Sequence, residues 1–129
     1  MNLIRNIKKF LSLCAAIVLT VCCAYSSFAQ EFIDGFEDIP IMDGLEQLPN
    51  DNISFGNEES RLVEAYLNGR KISFSSVASF YAETLPQLGW KTENKNDKHI
   101  SFEREQERLD IVCEQTKPLL VRITLKSKN

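Results

Sequence analysis

Few residues in this chain have types that could do chemistry, and they are scattered. His99 is the single histidine. It closes the charged run "NKNDKH", where a solvent-facing side chain is expected, and a nucleophilic or metal-ligating role would need partners fixed beside it. Cys113 is the one cysteine of four beyond the first 29 residues. It alternates with Leu109 and Ile111, and a free cysteine in such a position behaves as a small buried hydrophobe. A Cys113–His99 nucleophile–base pair is formally available, yet no spacing brings the two together. Glu103, Glu105, Glu107 and Asp110 could suggest paired acid–base carboxylates, which requires one carboxyl raised in pKa by burial. They lie in or beside a turn with Arg104 and Arg108, where exposed ion pairs contribute at most ~1 kcal/mol. Ser73, Ser75, Ser76 and Ser79 are explained by helix capping and solvation, and there is no G-x-S-x-G elbow. The P-loop, G-x-G-x-x-G and H-E-x-x-H patterns are also absent. No catalytic residue, cofactor site or metal site is expected, and the runs "KTENKNDK" and "EREQER" read as solvated turns.

The elements that would position these residues are clear. "SVASFYAETLPQLGW" predicts a helix, with Val77, Phe80, Tyr81, Thr84 and Leu85 on one stripe. Ser75 or Ser76 supplies its N-cap oxygen, and Pro86 with Gly89 ends it near Leu85. Burying Val77, Phe80, Tyr81 and Leu85 is worth about 6–12 kcal/mol, at ~1.5–3 each. Strand patterns cover Arg61–Leu67, Trp90–Glu93, His99–Arg104, Arg108–Gln115 and Leu119–Lys126. The links between the last of these are too short for crossovers, so neighbours are antiparallel. The expected fold is α+β: one short helix on an antiparallel sheet of about four to five strands, in the order β-α-β-β-β-β.

"FYAETLPQLGW", then a polar hairpin and an "F.RE.ERL.I" strand pair, resembles a group of small exported proteins of Gram-negative bacteria. Those place an acidic "GFEDIP.M.GL" lead before a helix ending in "LPQLGW". The likeness covers Phe36–Leu45, Phe80–Trp90 and Phe102–Ile111. It implies export and a single folded domain, and brings no catalytic residue with it. A looser "Y…LP..GW" pattern is shared with bacterial lipoproteins and implies a helix-to-strand joint, closed by Trp90.

Residues 1–29 read as a signal peptide. Arg5, Lys8 and Lys9 precede the apolar stretch "FLSLCAAIVLTVCCAYSSFA", and Ser27 and Ala29 sit at −3 and −1 of a cleavage site before Gln30. The apolar run is 20 residues long, so an uncleaved membrane anchor is the alternative. The destination is periplasmic or secreted. The mature chain keeps twelve basic and eighteen acidic residues, a net charge of −6. Residues 30–60 hold nine carboxylates and no Lys or Arg, whereas residues 61–129 carry a net +3. A body of mixed charge is not the footprint of nucleic-acid binding. Three segments follow: signal peptide 1–29, acidic arm 30–60, and α+β domain 61–129.

The arm contains a doubled octet, "IDGFEDIP" then "MDGLEQLP", separated by Ile41. Phe32, Phe36 and Ile39, then Ile41, Leu45 and Leu48, are spaced 4 and 3, each triad on one face of a short helical run. Gly35, Gly44 and the closing prolines oppose helix, so the arm is weakly structured alone and needs a surface. Two surfaces are open to it. It could pack on its own basic body, or it could dock on a partner with a basic, apolar groove. The second reading expects an exported, non-enzymatic domain that binds a protein of the cell envelope through Phe32, Phe36, Asp38, Ile41, Asp43 and Leu45. An alternative is a periplasmic domain for an apolar ligand or lipid, held between the helix and the sheet near Phe80, Ile111 and Ile123.

Overall fold

The computed structural model describes residues 3–9, 29–49, 52–57 and 60–128. In chain order the elements are α1 (residues 3–9), β1 (Glu46–Gln47), β2 (Ile53–Gly56) and β3 (Arg61–Gly69), then α2 (Phe74–Thr84) and a 3-10 turn (Leu85–Leu88). A meander of β4 (Lys91–Asn96), β5 (His99–Arg104), β6 (Glu107–Thr116) and β7 (Leu119–Ser127) completes the chain. The sheet is antiparallel, in the order β1-β3-β7-β6-β5-β4, and β2 shares the outer edge of β3 with β1. This is an α+β fold in which α2 carries the chain from one side of the sheet to the other. The five long strands are those expected from alternation. The two further strands come from residues 46–56, within the stretch expected to be arm.

Period-two patterning sets one face of the sheet inward. Val63, Ala65 and Leu67 of β3 are buried there, with Val121, Ile123 and Leu125 of β7, Leu109, Ile111 and Cys113 of β6, and Ile100 and Phe102 of β5. The helix lies on this face. Ser73 caps it, its Oγ accepting from the Ser76 N–H at 3.2 Å. The start is therefore earlier than Ser75 or Ser76, because Phe74 is drawn into the core. The buried stripe is Phe74, Val77, Ala78, Tyr81 and Leu85; Phe80 is half-buried, edge-on to Tyr81 with ring centroids 4.9 Å apart. Gly89 turns the chain at φ 88°, and the Trp90 N–H returns to the Leu85 carbonyl at 3.1 Å. That hydrogen bond seats Trp90, 3% exposed, against the sheet, as a helix-to-strand joint requires.

The doubled octet resolves into two equivalent turns. The Phe36 N–H donates to the Ile33 carbonyl, and the Leu45 N–H to the Met42 carbonyl, each at 3.0 Å. Gly35 and Gly44 sit at φ 91° and 90°, third in each turn, where a type II turn demands positive φ. Neither triad forms a helical run, as expected from the opposition of Gly35 and Gly44 to helix, because a glycine at that φ breaks the helix at its first turn. Each Asp-Gly pair instead aims the following apolar residue at the body: Ile33, Phe36, Ile39 and Leu45 are all buried. The first octet closes as a small hairpin, with the Ile33 N–H on the Ile39 carbonyl at 2.9 Å and the Ile41 N–H on the Glu31 carbonyl at 2.8 Å. Gln47 then joins the octets, its Oε1 accepting from the Asp34 N–H at 2.8 Å and its Nε2 donating to the Asp34 carbonyl at 3.3 Å. The expectation of a weakly structured arm is thus corrected for residues 29–49. They lie on their own domain and supply part of its core.

Leu3, Ile4 and Ile7 of α1 are exposed. Residues 10–28, with Ser27 of the expected cleavage site, lie outside the described residues. No helix among the described residues is long and apolar enough to cross a membrane.

Gly44 faces Ile72, whose Cδ1 would stand 2.4 Å from an added Cβ. Gly44→Ala is expected to cost about 1–2 kcal/mol from the left-handed backbone alone, read as a lower urea midpoint at unchanged slope. An unshifted midpoint would show that the second turn does not hold the arm.

Candidate interaction surface

Arg104, expected in a solvated turn, instead joins three elements. Its guanidinium stacks over the Trp90 ring, 4.2 Å from the centroid. One nitrogen donates to the Leu88 carbonyl at 3.0 Å, and the same group grips Asp38 through a two-point contact at 2.6 and 3.2 Å. A planar fork on a carboxylate fixes direction as well as distance. The pair holds the first octet against the helix exit. Arg61 adds a second, looser link to Glu37 at 3.7 Å while it binds Glu107 at 2.9 Å.

The six contact residues expected from the sequence therefore divide. Phe36 and Leu45 are buried, and Asp38 is engaged by Arg104. Phe32 is 50% exposed, Asp43 is exposed and Ile41 is half-buried. These three border two shallow cavities that meet at Ile41 and Leu45. One, of ≈ 350 Å³, lies beside Glu31, Met42 and Asp43. The other, of ≈ 510 Å³, lies beside Phe32, Asp34 and Glu46. Apolar walls and carboxylate rims alternate around this patch. A third cavity, of ≈ 600 Å³, opens across Gly44, and there Glu46 is joined by Arg70 and Lys71, so that both signs of charge line it.

The other face of the sheet carries no helix among the described residues and gathers polar side chains that the sequence places far apart. His99 pairs with Val112, and Ser101 with Asp110. Alternation then sets His99, Ser101, Asp110 and Arg108 on this outer face and Cys113 on the inner one. His99 and Cys113 are separated by the sheet, and no dyad forms. His99 is half-buried rather than solvent-facing, and its Nε2 lies 2.7 Å from Asp110 Oδ1. Arg108 Nε contacts Asp110 Oδ2 at 3.1 Å. Serine, histidine and aspartate thus share one face, but Ser101 Oγ is buried and has no hydrogen-bond partner among the described residues. No activated hydroxyl is assembled. Only the β5–β6 register brings these residues together, and nothing in their spacing announces it. Two strands away, Glu64 accepts from Tyr66 Oη at 3.1 Å and Thr124 Oγ1 at 3.2 Å, and Arg122 lies 3.6 Å from it.

Among the described residues no group of three or more His, Cys, Asp and Glu side chains could hold a metal ion. Phe80, Ile111 and Ile123 line none of the cavities just described. Ile111 and Ile123 are fully buried under the helix.

Burial works to raise the pKa of Asp110, but hydrogen bonds from His99 and Arg108 outweigh it and hold the carboxyl below its usual value of 3.8. A carboxyl depressed in the folded state adds stability above its unfolded pKa and loses it as pH falls through the folded one. Asp110→Asn should therefore be less stable than wild type above about pH 4, and the two should converge as pH falls through the folded pKa. Circular dichroism across an acid titration checks this, and identical acid profiles would show that the cluster contributes nothing.

No family model, curated protein or solved structure matches this chain.

Proposed function

We propose that this protein is an exported, non-enzymatic interaction domain of the bacterial cell envelope that captures a protein partner around Phe32 and Ile41. One observation carries the reading. Phe32 is half exposed although Ile33, Phe36 and Ile39, its close neighbours in sequence, are all buried. A large aromatic left at the surface inside a rim of Glu31, Asp34, Asp43 and Glu46 fits a basic, apolar groove on the partner. Aromatic side chains set in such frames are the residues most often found to dominate binding energy. The carboxylates steer the encounter, and the aromatic ring and Ile41 supply the apolar contact.

The export half of the reading rests on the basic n-region, the apolar stretch and the small-residue cleavage site. Gln30 Nε2 donates to the Ile41 carbonyl at 3.3 Å, so the fold draws on the chain from the expected first mature residue. Mass spectrometry of the exported protein should find Gln30 at its N-terminus.

Deletion of the arm is a poor test of docking, because it removes four buried side chains from the core. Point changes at the rim separate the two roles. Phe32→Ser combined with Asp43→Lys should leave the melting transition within a few degrees of wild type. The same variant should weaken capture of the partner from native envelope extracts by about 30-fold, the equivalent of ~2 kcal/mol for a dominant aromatic. Equal capture by variant and wild type would overturn the proposal.

A further inference from the structure

The two margins of the sheet are built differently. Edge strand β4 reads Lys-Thr-Glu-Asn-Lys-Asn, is exposed throughout, and is interrupted by a bulge between Thr92 and Asn94. Alternating charge and a bulge are the usual devices that stop a second strand from adding to an edge. At the opposite margin, β2 reads Ile-Ser-Phe-Gly, with neither charge nor proline nor bulge. Ile53 and Phe55 stand 40% and 62% exposed on the outer face.

The direction of the free backbone groups follows from the ladder. The Arg61 N–H turns toward β7, where it meets Ser127 Oγ at 3.1 Å. The Tyr66 carbonyl turns the other way and accepts from the Leu48 N–H at 2.8 Å. Even-numbered residues of β3 therefore face β2, so Leu62 and Glu64 bond their partners Phe55 and Ile53. Ser54 and Gly56 must then point their main-chain groups away from the sheet, where no described strand pairs with them.

We propose that the β2 edge accepts an extended segment of a partner protein as an added antiparallel strand, with apolar residues at alternate positions and basic residues at its ends. Charge selects this occupant over a second copy of the chain. Residues 30–60 hold nine carboxylates and no Lys or Arg, with Asp51, Glu58 and Glu59 flanking β2 in sequence. Pairing of two β2 strands would bring two acidic segments of the same net charge together, whereas a strand with lysine or arginine at both ends brings opposite charge. Main-chain hydrogen bonds from Ser54 and Gly56 hold the added strand. Ile53 and Phe55 provide the flanking apolar contact that specifies its side chains. This surface is distinct from the one around Phe32, and the two are tested separately.

The test uses the mature protein and a synthetic nine-residue peptide of alternating valine and threonine with two lysines at each end. A matched peptide carries glutamates in place of the lysines. At ~0.15 M salt the lysine peptide should bind at least about tenfold more tightly than the glutamate peptide, and the Ser54 and Gly56 amides should become protected from hydrogen exchange. Ser54→Pro removes an outward N–H and leaves the β3 ladder intact, as edge strands tolerate. It should abolish binding of the lysine peptide with the net charge unchanged, whereas Phe32→Ser should leave that binding intact. Undiminished binding to Ser54→Pro, or protection at β4 instead of β2, would overturn the proposal. So would self-association of the mature protein that Ser54→Pro removes, since it would assign the edge to a second copy.

Discussion

A phenol buried in a protein core needs an acceptor for its hydroxyl, and the acceptor for Tyr81 lies outside the helix and the sheet. Tyr81 is fully buried at the centre of α2, and its Oη donates to the Pro40 carbonyl at 2.8 Å. Burial pushes the phenol's pKa well up, so the group is a neutral donor at every physiological pH. Leaving such a donor without a partner costs about 1–3 kcal/mol. The arm is thereby tied to the keystone residue of the core. The rest of the arm's geometry serves to bring the Pro40 carbonyl to that position.

Two devices do this with few residues. The Asp-Gly turns reverse the chain twice within a dozen positions and place Ile33, Phe36, Ile39 and Leu45 on the body. Arg104 then locks the first turn from outside, between the Trp90 ring and Asp38. The stack and the ion pair share one guanidinium, so helix exit, sheet and arm are held by one side chain. This explains the recurrence of the octet without any catalytic role. Each copy is one turn, and the second leads directly into β1 and so into the sheet.

Once the arm is used in this way, the surfaces left over are narrow and specific. One is the rim around Phe32, where an aromatic and an aliphatic side chain remain between carboxylates. Another is the outer edge of β2, with which no described strand pairs. The polar face of the sheet carries the ion-paired His99–Asp110–Arg108 and Glu64–Arg122 groups, and the buried Ser101 Oγ has no hydrogen-bond partner among the described residues.

Local pattern determined much of this in advance. Alternation in β3, β5, β6 and β7 settles which side chains go inward, because a strand has only two faces. The spacing from Val77 to Leu85 settles the helix, since those residues can share a stripe in no other regular structure. Trp90 as the joint, Cys113 as a core residue and the uneven charge were legible for the same reason. Other features needed the tertiary structure. A spacing of 4 and 3 in the arm looks helical, and only the positive φ at Gly35 and Gly44 shows two turns instead. Phe80 and Phe74 exchange burial because the helix starts at a cap set by the approach to the sheet. His99 meets Asp110, and Arg104 meets Asp38, across separations of 11 and 66 residues. Sequence encodes periodicity along one element, whereas register and docking depend on how several elements bury their faces together.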